Sequence, residues 1–392
     1  AGRHQGSWIM LKMVIGHSED IDSHDAIAEI IKHCLEQLDG LPTKAGILYA
    51  AIDHDFQVLI DSVNMAFPGL ALIGCTTDGE LSSVGGFTED GVVLTLFASD
   101  SIEFYSGVAR GISENPGVNI QDALKTSLVG IEYPKLCFVT SSSLTTSSDG
   151  VVTEMRHALG VDCPIIGGNA GDQWRFEKTF QFFNNEVLSD AIPYLLVSGP
   201  LFYSHSVSSG WQPIGKPAKA TSVGPGSIKR IGDETAAAFY ERYLGQNLDT
   251  LGEYPLAVFD DEAFKSFYLR SPILGENTDG SLTMVGDIPA DAWVQITHAT
   301  RDRVIESASE SVSQALAAYP GSSPSGILCI SCAGRKMLLG TRTQEEVQLL
   351  RDAIPGIPVG GFYAYGEIAP LERGGATRLH NETFISLVIG DV

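Results

Sequence analysis

Two hydrophobic periodicities alternate along this chain and predict strands and helices in turn. A short apolar run from Leu11 predicts a first strand, and Asp22 or Ser23 is suited to cap the helix that follows. Apolar residues at helical spacing give that helix one buried face: Ile27, Ile30, Ile31, Cys34, Leu35 and Leu38. A strand at residues 46–52, a second helix from about Phe56 and two further strands complete the series. The predicted order is strand, helix, strand, helix, strand, strand.

The same order of elements occurs twice more. A second copy begins with a strand at residues 103–109. A third copy is predicted to begin with a strand at residues 293–297, followed by a helix at 304–319, a strand at 326–331 and a helix at 343–354. The pattern therefore predicts three units of about a hundred residues each.

Related glycine-containing segments mark the end of each copy. GCTTDGE begins at Gly74, the shorter GGNAGD begins at Gly167, and residues 360–370 read GGFYAYGEIAP. An Ala-apolar-Pro-Gly helix stop precedes the first and the last of them. Because a motif inside a repeated run of elements rarely arises by chance, we interpret these segments as the product of internal duplication.

The order of elements predicts an α/β fold of mixed sheets covered by helices, in which two portions form one body. Alternating strands and helices favour parallel pairing within a unit, and the closing strand pairs favour antiparallel pairing. The predicted N-terminal portion is residues 11–232, with two units, and the C-terminal portion is residues 233–392, with the third. Residues 200–290 are rich in Gly and Pro, and we interpret them as the connection between the portions.

Composition narrows the class of protein. The chain has 392 residues, of which 44% are apolar, and a net charge of −23 at pH 7. This charge disfavours nucleic acid and anionic membranes as partners, because both require a basic face. No apolar run is long enough to span a bilayer and no signal peptide is evident, so a cytoplasmic location is expected. We interpret residues 1–10 as a remnant of an expression tag and leave them out of the functional argument.

The six cysteines lie mostly within apolar strand or helix patterns, as buried free thiols do. Cys329 and Cys332 form a C-x-x-C pair, but a strand would point their side chains to opposite faces. A disulfide scaffold, a redox pair and a zinc site are therefore not expected.

Loops at the carboxyl ends of parallel strands are the usual ligand sites of open α/β sheets. In the second unit this rule selects residues 141–150, SSSLTTSSDG, which include Ser141 and Ser142. Their hydroxyls and the helix that follows suit a carboxylate or phosphate. The alternative interpretation is a solvated loop that caps the helix.

In the third unit the same rule selects Cys332 and Arg335. Arg335 either clamps an anionic ligand or forms a structural ion pair with Glu367. Cys332 is either activated by its position beside Arg335 or an inert buried thiol.

Three acidic residues each follow a glycine of the repeated segments: Glu80, Asp172 and Glu367. Paired carboxylates are able to act as acid and base, but no Ser, His or Cys motif places a nucleophile beside them. Carboxylates repeated by duplication more often bind loop backbone. We therefore predict no catalytic residue, and an enzyme using these carboxylates is the less favoured alternative.

Three histidines are weak candidates for haem or metal ligation: His17, His298 and His380. His17 and His298 each end a strand that is predicted to open a unit, so they look equivalent. No C-x-x-C-H motif or two-histidine helix supports ligation, and structural hydrogen bonding is favoured. Four aromatic residues are candidates for a pocket wall or for core packing: Trp211, Phe362, Tyr363 and Tyr365.

Six segments together resemble the FIST domain, which is named for F-box and intracellular signal transduction proteins. They are GCTTDGELS from Gly74, PIIGGNAGD from Pro164, GWQPIG from Gly210, SCAGR from Ser331, GFYAYGEIAP from Gly361 and HNET from His380. The resemblance covers nearly the whole chain and implies N-terminal and C-terminal FIST portions that form one ligand-sensing body.

The resemblance implies a sensory protein of intracellular signal transduction that binds a small molecule, such as an amino acid, and acts through a separate partner. A histidine kinase is one such partner. The alternative is a sensor of nitric oxide that carries haem b and regulates a histidine kinase. We expect the ligand to be at least partly anionic and bound without covalent change. The residues predicted to bind it are Cys75, Thr76, Glu80, Ser141, Ser142, Asn169, Asp172, Cys332, Arg335, Tyr363, Tyr365, Glu367, His380 and Asn381.

Overall fold

The computed structural model describes residues 11–273 and 277–391, so the expected tag remnant at residues 1–10 lies outside the described residues. This part of the chain forms three mixed sheets of six strands and a fourth, antiparallel sheet of eight strands. Helices pack against the mixed sheets, which confirms the predicted α/β class. None of the helices in these ranges is both long and apolar enough to span a membrane.

The first unit has the predicted order of elements, with a short hairpin before its last strand. Asp22 caps the first helix as predicted, because its side chain accepts hydrogen bonds from the amides of His24 and Asp25. The elements are β1 Lys12–Ser18, α1 Ser23–Leu38, β2 Ala45–Ala50, α2 Phe56–Ala66, β3 Ala71–Thr76, β4 Glu80–Ser82, β5 Gly86–Thr88 and β6 Val92–Ala98.

The second unit repeats this order without interruption. Its elements are β7 Glu103–Arg110, α3 Pro116–Ser127, β8 Leu136–Ser141, α4 Ser148–Leu159, β9 Ile165–Asn169, β10 Gln181–Phe183, β11 Glu186–Leu188 and β12 Ala191–Ser198. The parallel pair β8 and β9 corresponds to the parallel pair β2 and β3 of the first unit.

The third unit is split, because the fourth sheet is inserted after its first strand. That strand is β13 Phe202–Ser208. The inserted elements are β14 Gln212–Pro213, β15 Ala218–Gly224, β16 Ser227–Ile231, β17 Glu234–Thr235, α5 Ala236–Leu244, β18 Leu256–Phe259, β19 Phe267–Arg270, β20 Leu282–Thr283 and β21 Trp293–His298. The unit then continues with α6 Arg301–Ala318, β22 Gly326–Cys332, α7 Ala333–Leu339, α8 Thr343–Ala353, β23 Val359–Ala364, β24 Glu367–Pro370, β25 Thr377–His380 and β26 Phe384–Gly390.

Two sequence-based interpretations of this region were wrong. The strand at Trp293–His298 does form, but it belongs to the fourth sheet, and β13 opens the third unit instead. Residues 200–290 are not a connection, since they carry β13 and most of the fourth sheet. The strands there are short, and the β15–β16 pairing contains register shifts, so the segment lacks the periodicity of longer strands.

Each unit gives its hairpin to the sheet of another unit. The four other strands of each unit pair in the same order: β1-β6-β2-β3, β7-β12-β8-β9 and β13-β26-β22-β23. The hairpin of the second unit extends the first sheet at β3, that of the third unit extends the second sheet at β9, and that of the first unit extends the third sheet at β23. The three units are therefore closed into a ring by exchange of hairpins.

The three mixed sheets share one central apolar core. This core contains buried residues of every unit, such as Ile15, Phe138 and Ile330. The ring of Tyr49 from the first unit stacks on Phe362 from the third, with centroids 4.6 Å apart. The outer faces of the sheets bury separate clusters beneath the helices. Contact between units is thus made by core side chains as well as by exchanged strands.

Candidate functional site

The three glycine-containing segments meet at one end of the central core and bond to one another in a cycle. Gly74, Gly167 and Gly361 are equivalent: each lies so close to the neighbouring parallel strand that a Cβ atom would overlap a backbone carbonyl of that strand. Three backbone hydrogen bonds then link the units: Asp78 N to Tyr363 O at 3.0 Å, Gly171 N to Thr76 O at 2.9 Å, and Tyr365 N to Asn169 O at 3.1 Å. We call this arrangement the loop ring.

Two of the three repeated carboxylates bind backbone in equivalent ways. Glu80 accepts the amide of Gly91 at 3.0 Å, and Glu367 accepts the amide of Thr383 at 3.2 Å. Both amides stand directly before the last strand of their unit. Burial raises the pKa of Glu80 and that of Glu367 to about 8. The geometry matches the interpretation in which duplicated carboxylates hold loops.

Asp172 departs from this pattern. Its segment is one residue shorter and its side chain one methylene shorter than those of its counterparts. Its Oδ1 accepts hydrogen bonds from the Phe176 amide at 3.0 Å and the Tyr365 hydroxyl at 2.7 Å, and its Oδ2 accepts from the amides of Glu177 and Lys178. The carboxylate of the second unit therefore holds residues 173–178, which we call the aromatic loop.

The aromatic loop has a strained backbone and presents aromatic rings. Gln173, Trp174 and Phe176 have positive φ angles of 56°, 63° and 51°, a region that non-glycine residues seldom adopt. Trp174 is 40% exposed and Phe176 53%. The ring of Phe176 stacks on Tyr365 with centroids 5.2 Å apart, and Trp174 contacts the same ring. Strain of this kind persists where the surrounding structure enforces it, often at functional sites.

A lysine and an aspartate lie beside this loop. Lys336 Nζ is 3.2 Å from Asp78 Oδ2 and 3.4 Å from Glu89 Oε1, and the Lys336 side chain is 11% exposed. Burial raises the pKa of Asp78 to about 6, although Lys336 and Trp174 act in the opposite direction. The loop ring thus carries a partly accessible ammonium group.

Arg335 does not pair with Glu367, so that prediction was wrong. Its Nη2 donates to Glu346 Oε2 at 2.6 Å and to Val304 O at 2.8 Å, and its Nη1 donates to Ser209 O at 2.7 Å. Both Arg335 and Glu346 are fully buried. Arg335 and Lys336 are neighbours on α7 with different partners, and Lys336 is the one of the two that lies against Asp78 of the loop ring.

Several other predicted residues serve packing or local hydrogen bonding. Cys75 lies in the central core, and the hydroxyls of Thr76 and Tyr363 bond to Phe180 O and Glu346. Ser141 and Ser142 bond within their own loop, and Ser147 caps α4. Trp211 is buried and donates to Glu253 O. Asn169 contacts the loop at residues 141–150, because its Nδ2 donates to Ser148 Oγ at 2.8 Å.

The structure brings four predicted or adjacent residues together in the third unit: Cys332, Glu367, Asn381 and Glu382. The Cys332 thiol lies beside the Glu367 carboxyl and accepts the backbone amide of Glu382. Ser271 of the fourth sheet completes the group, since its amide donates to Asn381 Oδ1 at 2.8 Å and its hydroxyl to Glu382 Oε1 at 2.9 Å. Burial raises the pKa of Cys332 well above its ordinary value, which is consistent with the inert-thiol interpretation.

The three candidate histidines do not fit a haem. Both ring nitrogens of His17 are hydrogen-bonded, to Ser82 at 2.7 Å and Thr88 at 2.9 Å. His380 is fully buried and its Nε2 donates to Ala369 O at 2.9 Å. His298 belongs to the fourth sheet and stacks on Tyr254. The prediction that His298 and His17 are equivalent was therefore wrong.

A void of about 20 Å³ in the central core is far smaller than the roughly 300–1,000 Å³ of small-molecule sites, and none of the three histidines lines it. Across residues 11–273 and 277–391, no group of three or more His, Cys, Asp or Glu side chains is arranged to hold a metal.

Sequence reasoning missed Asp78, Trp174, Lys336 and Glu382. Asp78 and Glu382 lie within the segments GCTTDGE and HNET, Lys336 directly follows SCAGR, and Trp174 lies two residues after GGNAGD. Their position in or near these motifs was the feature of the sequence that could have identified them. The direction of each side chain in the fold decides which residue of a segment reaches the site.

Comparisons with known proteins identify two family domains along the chain. Family models for the FIST N domain and the FIST C domain match residues 44–234 and 236–370. An uncharacterized protein of Mycobacterium tuberculosis is 25% identical over 95% of this chain and 98% of its own length. An uncharacterized protein of Methanocaldococcus jannaschii is 28% identical over 54% of this chain, and the match spans only 41% of that relative's length.

Solved structures give weak matches of high coverage. A chorismatase is 9% identical with a TM-score of 0.34, covering 97% of this chain and 100% of that one. A cyanuric acid hydrolase is 9% identical with a TM-score of 0.37, covering 98% and 100%. At such scores neither enzyme supports a conclusion about the chemistry of this chain.

Proposed function

The chain belongs to the FIST family, and we propose that it is a sensory protein that binds a small molecule at the loop ring and signals through a separate partner. FIST domains are associated with sensing in signal transduction. The proposed partner is a histidine kinase or another signalling protein, and the proposed location is the cytoplasm. Haem is not part of the proposal, because the candidate histidines do not fit it.

One observation supports this proposal most strongly. The three units can be compared position by position, and a residue whose contacts differ from those of its two counterparts is a candidate for a functional role. Glu80 and Glu367 perform one backbone-binding task in two units, whereas Asp172 is released from that task and holds a strained aromatic loop. The second unit lacks the backbone contact that Glu80 and Glu367 make, and Asp172 instead forms hydrogen bonds with the aromatic loop and with Tyr365. A half-exposed aromatic loop beside an ammonium group is the kind of surface on which small ligands are oriented.

We propose that the ligand is small, at least partly anionic and bound without covalent change. A chain with a net charge of −23 repels anions at long range, so an anion site requires a local donor. We assign that role to Lys336 in place of Arg335, whose Nη donors are used within the protein. Lys336 contacts Asp78 and Glu89, and its ammonium group has a third N–H donor for a ligand. The rings of Trp174 and Phe176 supply apolar contact.

Native mass spectrometry of protein purified without refolding tests the proposal. We expect a retained small molecule, and its affinity should fall about tenfold or more in Lys336→Gln and in Trp174→Ala, as for loss of a charge-assisted hydrogen bond or a stacking contact. Lys219→Gln is the matched control, because Lys219 also lies near a carboxylate and over an aromatic ring, but in the fourth sheet. Equal affinity in all three variants would contradict the proposed site.

A further inference from the structure

Five buried side-chain atoms of the third unit have no hydrogen-bond partner within the described residues. Two are Arg335 Nε and His380 Nδ1, and the other three are Glu367 Oε1, Glu382 Oε2 and Asn381 Nδ2. The three residues are between 0% and 3% exposed. An unpaired buried donor or acceptor costs free energy, so each such atom in a native structure calls for an explanation.

The atoms of Glu367, Glu382 and Asn381 belong to one connected group. Ser271 bonds to Asn381 Oδ1 and to Glu382 Oε1, so these two side chains lie against the same residue. Cys332 lies between the two glutamates, beside the Glu367 carboxyl and against the Glu382 amide. A Cβ atom at Gly334 would overlap the Glu382 carboxyl, so the glycine leaves room for that group.

The two carboxylates of this group are only weakly compensated: the charge of nearby Arg335 opposes the rise in the pKa of Glu382, but Arg335 itself is bound to Glu346. Among residues 11–273 and 277–391, neither Glu367 nor Glu382 is in an ion pair, and the neighbouring Arg335 is bound to Glu346. Burial raises the pKa of Glu367 to about 8 and that of Glu382 to about 7, and the charge of Glu382 contributes to the shift of Glu367. Two buried carboxylates without a cation are unfavourable, and a bound cation would allow both to ionise.

We propose that Glu367 and Glu382 bind an ammonium-type cation, either free ammonium or the primary amine of a small molecule. An ammonium group presents several N–H donors, which match two free carboxylate oxygens. Asn381 Nδ2 remains available to an acceptor on the rest of an amine ligand. The side chains are not arranged as a metal site, which favours a cation that donates hydrogen bonds. This site is separate from the anion donor Lys336 and does not depend on the proposed sensory function.

The first unit contains a matched control for this site. Glu80 holds the position equivalent to Glu367 and is also fully buried with a raised pKa. Its Oε1 accepts from Thr77, and its Oε2 accepts from Thr88 and Gly91. Because both oxygens of Glu80 are already bonded, no cation is expected there.

Thermal unfolding of the full chain tests the site. The midpoint is measured in ammonium chloride and in methylammonium chloride, against sodium, potassium and tetramethylammonium chloride at equal ionic strength. We expect a saturable stabilisation by the first two salts only, because tetramethylammonium has no N–H donor. A stronger effect of ammonium indicates the free ion, and a stronger effect of methylammonium indicates the amine of a larger molecule.

The variants locate the effect. The apparent affinity for the effective cation should weaken about tenfold or more in Glu367→Gln and in Glu382→Gln, since each loses a charge-assisted bond, and should be retained in Glu80→Gln. If one variant does not fold by circular dichroism, the other decides. An equal response to all five salts, as expected if a buried water satisfies these atoms, would overturn the proposal. So would a selective response that both glutamine variants at positions 367 and 382 retain.

Discussion

Asp172 illustrates how one methylene group and one deleted residue change the role of a repeated position. Glu80 and Glu367 reach the backbone before the last strand of their units, and Asp172 instead collects three amides of the aromatic loop and the Tyr365 hydroxyl. A carboxylate with several donors is a strong organiser of loop backbone. At this scale, the identity of one side chain decides whether the carboxylate binds the backbone before the last strand of its unit or the backbone of a surface loop.

The buried pair Arg335–Glu346 is expected to be essential for stability. Glu346→Ala leaves the guanidinium buried and uncompensated, so the free energy of unfolding should fall by about 3–5 kcal/mol in urea denaturation. Glu345→Ala, on the same helix, removes a solvent-exposed pair with Arg342 and should cost much less. Similar losses in the two variants would mean that the buried pair is not the stabilising contact.

The raised pKa values of Glu80 and Glu367 predict a pH dependence of stability. The folded protein keeps these protons up to about pH 8, whereas the unfolded chain releases them near the ordinary value of 4.5. Folding therefore takes up protons, and this contribution to stability is lost as pH rises towards 8. His17 and His380 act in the opposite direction, because burial lowers their pKa values in the folded protein while the unfolded chain still protonates them in part near pH 6.5. Comparison with a variant that lacks one carboxyl cancels this histidine contribution.

Urea denaturation between pH 6.5 and 8 checks this expectation. The free energy of unfolding attributable to these two carboxyls should fall as pH rises, and the fall should be shallower in Glu80→Gln, which has no proton to release. A slope that is the same in wild type and variant would show that Glu80 is ionised in the folded protein.

The aromatic loop is the element in which local sequence preference and observed conformation disagree most. Three of its residues adopt positive φ without being glycine, and no hydrophobic periodicity describes them. The loop is held from outside, by Asp172 and by Tyr365 of another unit. Its conformation is therefore a property of the contact between two units.

Tyr365→Phe should loosen this loop. The substitution keeps the ring stack but removes the hydroxyl that bonds Asp172 Oδ1 at 2.7 Å and accepts the Trp174 amide at 2.5 Å. Hydrogen exchange of the amides at residues 174–178 should accelerate by about tenfold or more. Tyr363→Phe, two residues earlier, removes a hydroxyl bonded to Glu346 and should leave exchange in the loop unchanged. Equal exchange in Tyr365→Phe and wild type would contradict the anchoring role.

At the scale of the whole molecule, hairpin exchange makes the three units mutually dependent. Without its neighbour's hairpin each sheet would expose an unpaired edge strand, and the central core draws side chains from all units. The division into FIST N and FIST C domains falls between residues 234 and 236, at β17 within the fourth sheet. The family division and the structural repeat therefore follow different boundaries.

Phe362→Ala should destabilise all three units together. Phe362 is fully buried and stacks on Tyr49 of another unit, so its truncation should lower the free energy of unfolding by about 3–5 kcal/mol. Tryptophan fluorescence and far-ultraviolet circular dichroism should still report one coincident transition. Val161→Ala, at a residue 86% exposed, serves as the control with little change. Two separated transitions would show that the units unfold independently.

The sequence by itself determined the longer helices and strands, their repetition and the family. Helix caps such as Asp22 and the periodic apolar faces depend on residues a few positions apart, and such local relations are readable along the chain. The glycines at positions 74, 167 and 361 were recognisable for the same reason, because a repeated close approach of strands leaves a repeated residue type. The three units and the α/β class therefore followed from the pattern.

Only the tertiary structure decided which edges and charges meet. Three features depend on distances between elements that are remote in sequence. They are the exchange of hairpins, the position of β13 as the first strand of the third unit, and the pairing of Arg335 with Glu346 instead of Glu367. Free edges pair with whichever strand the fold brings alongside, and a buried charge pairs with the acid that its own helix faces. The hydrophobic pattern does not specify which strand edges pair or which buried charges meet. Lys336, Trp174 and Glu382 were therefore identified as site residues only from the positions of the loops in the fold.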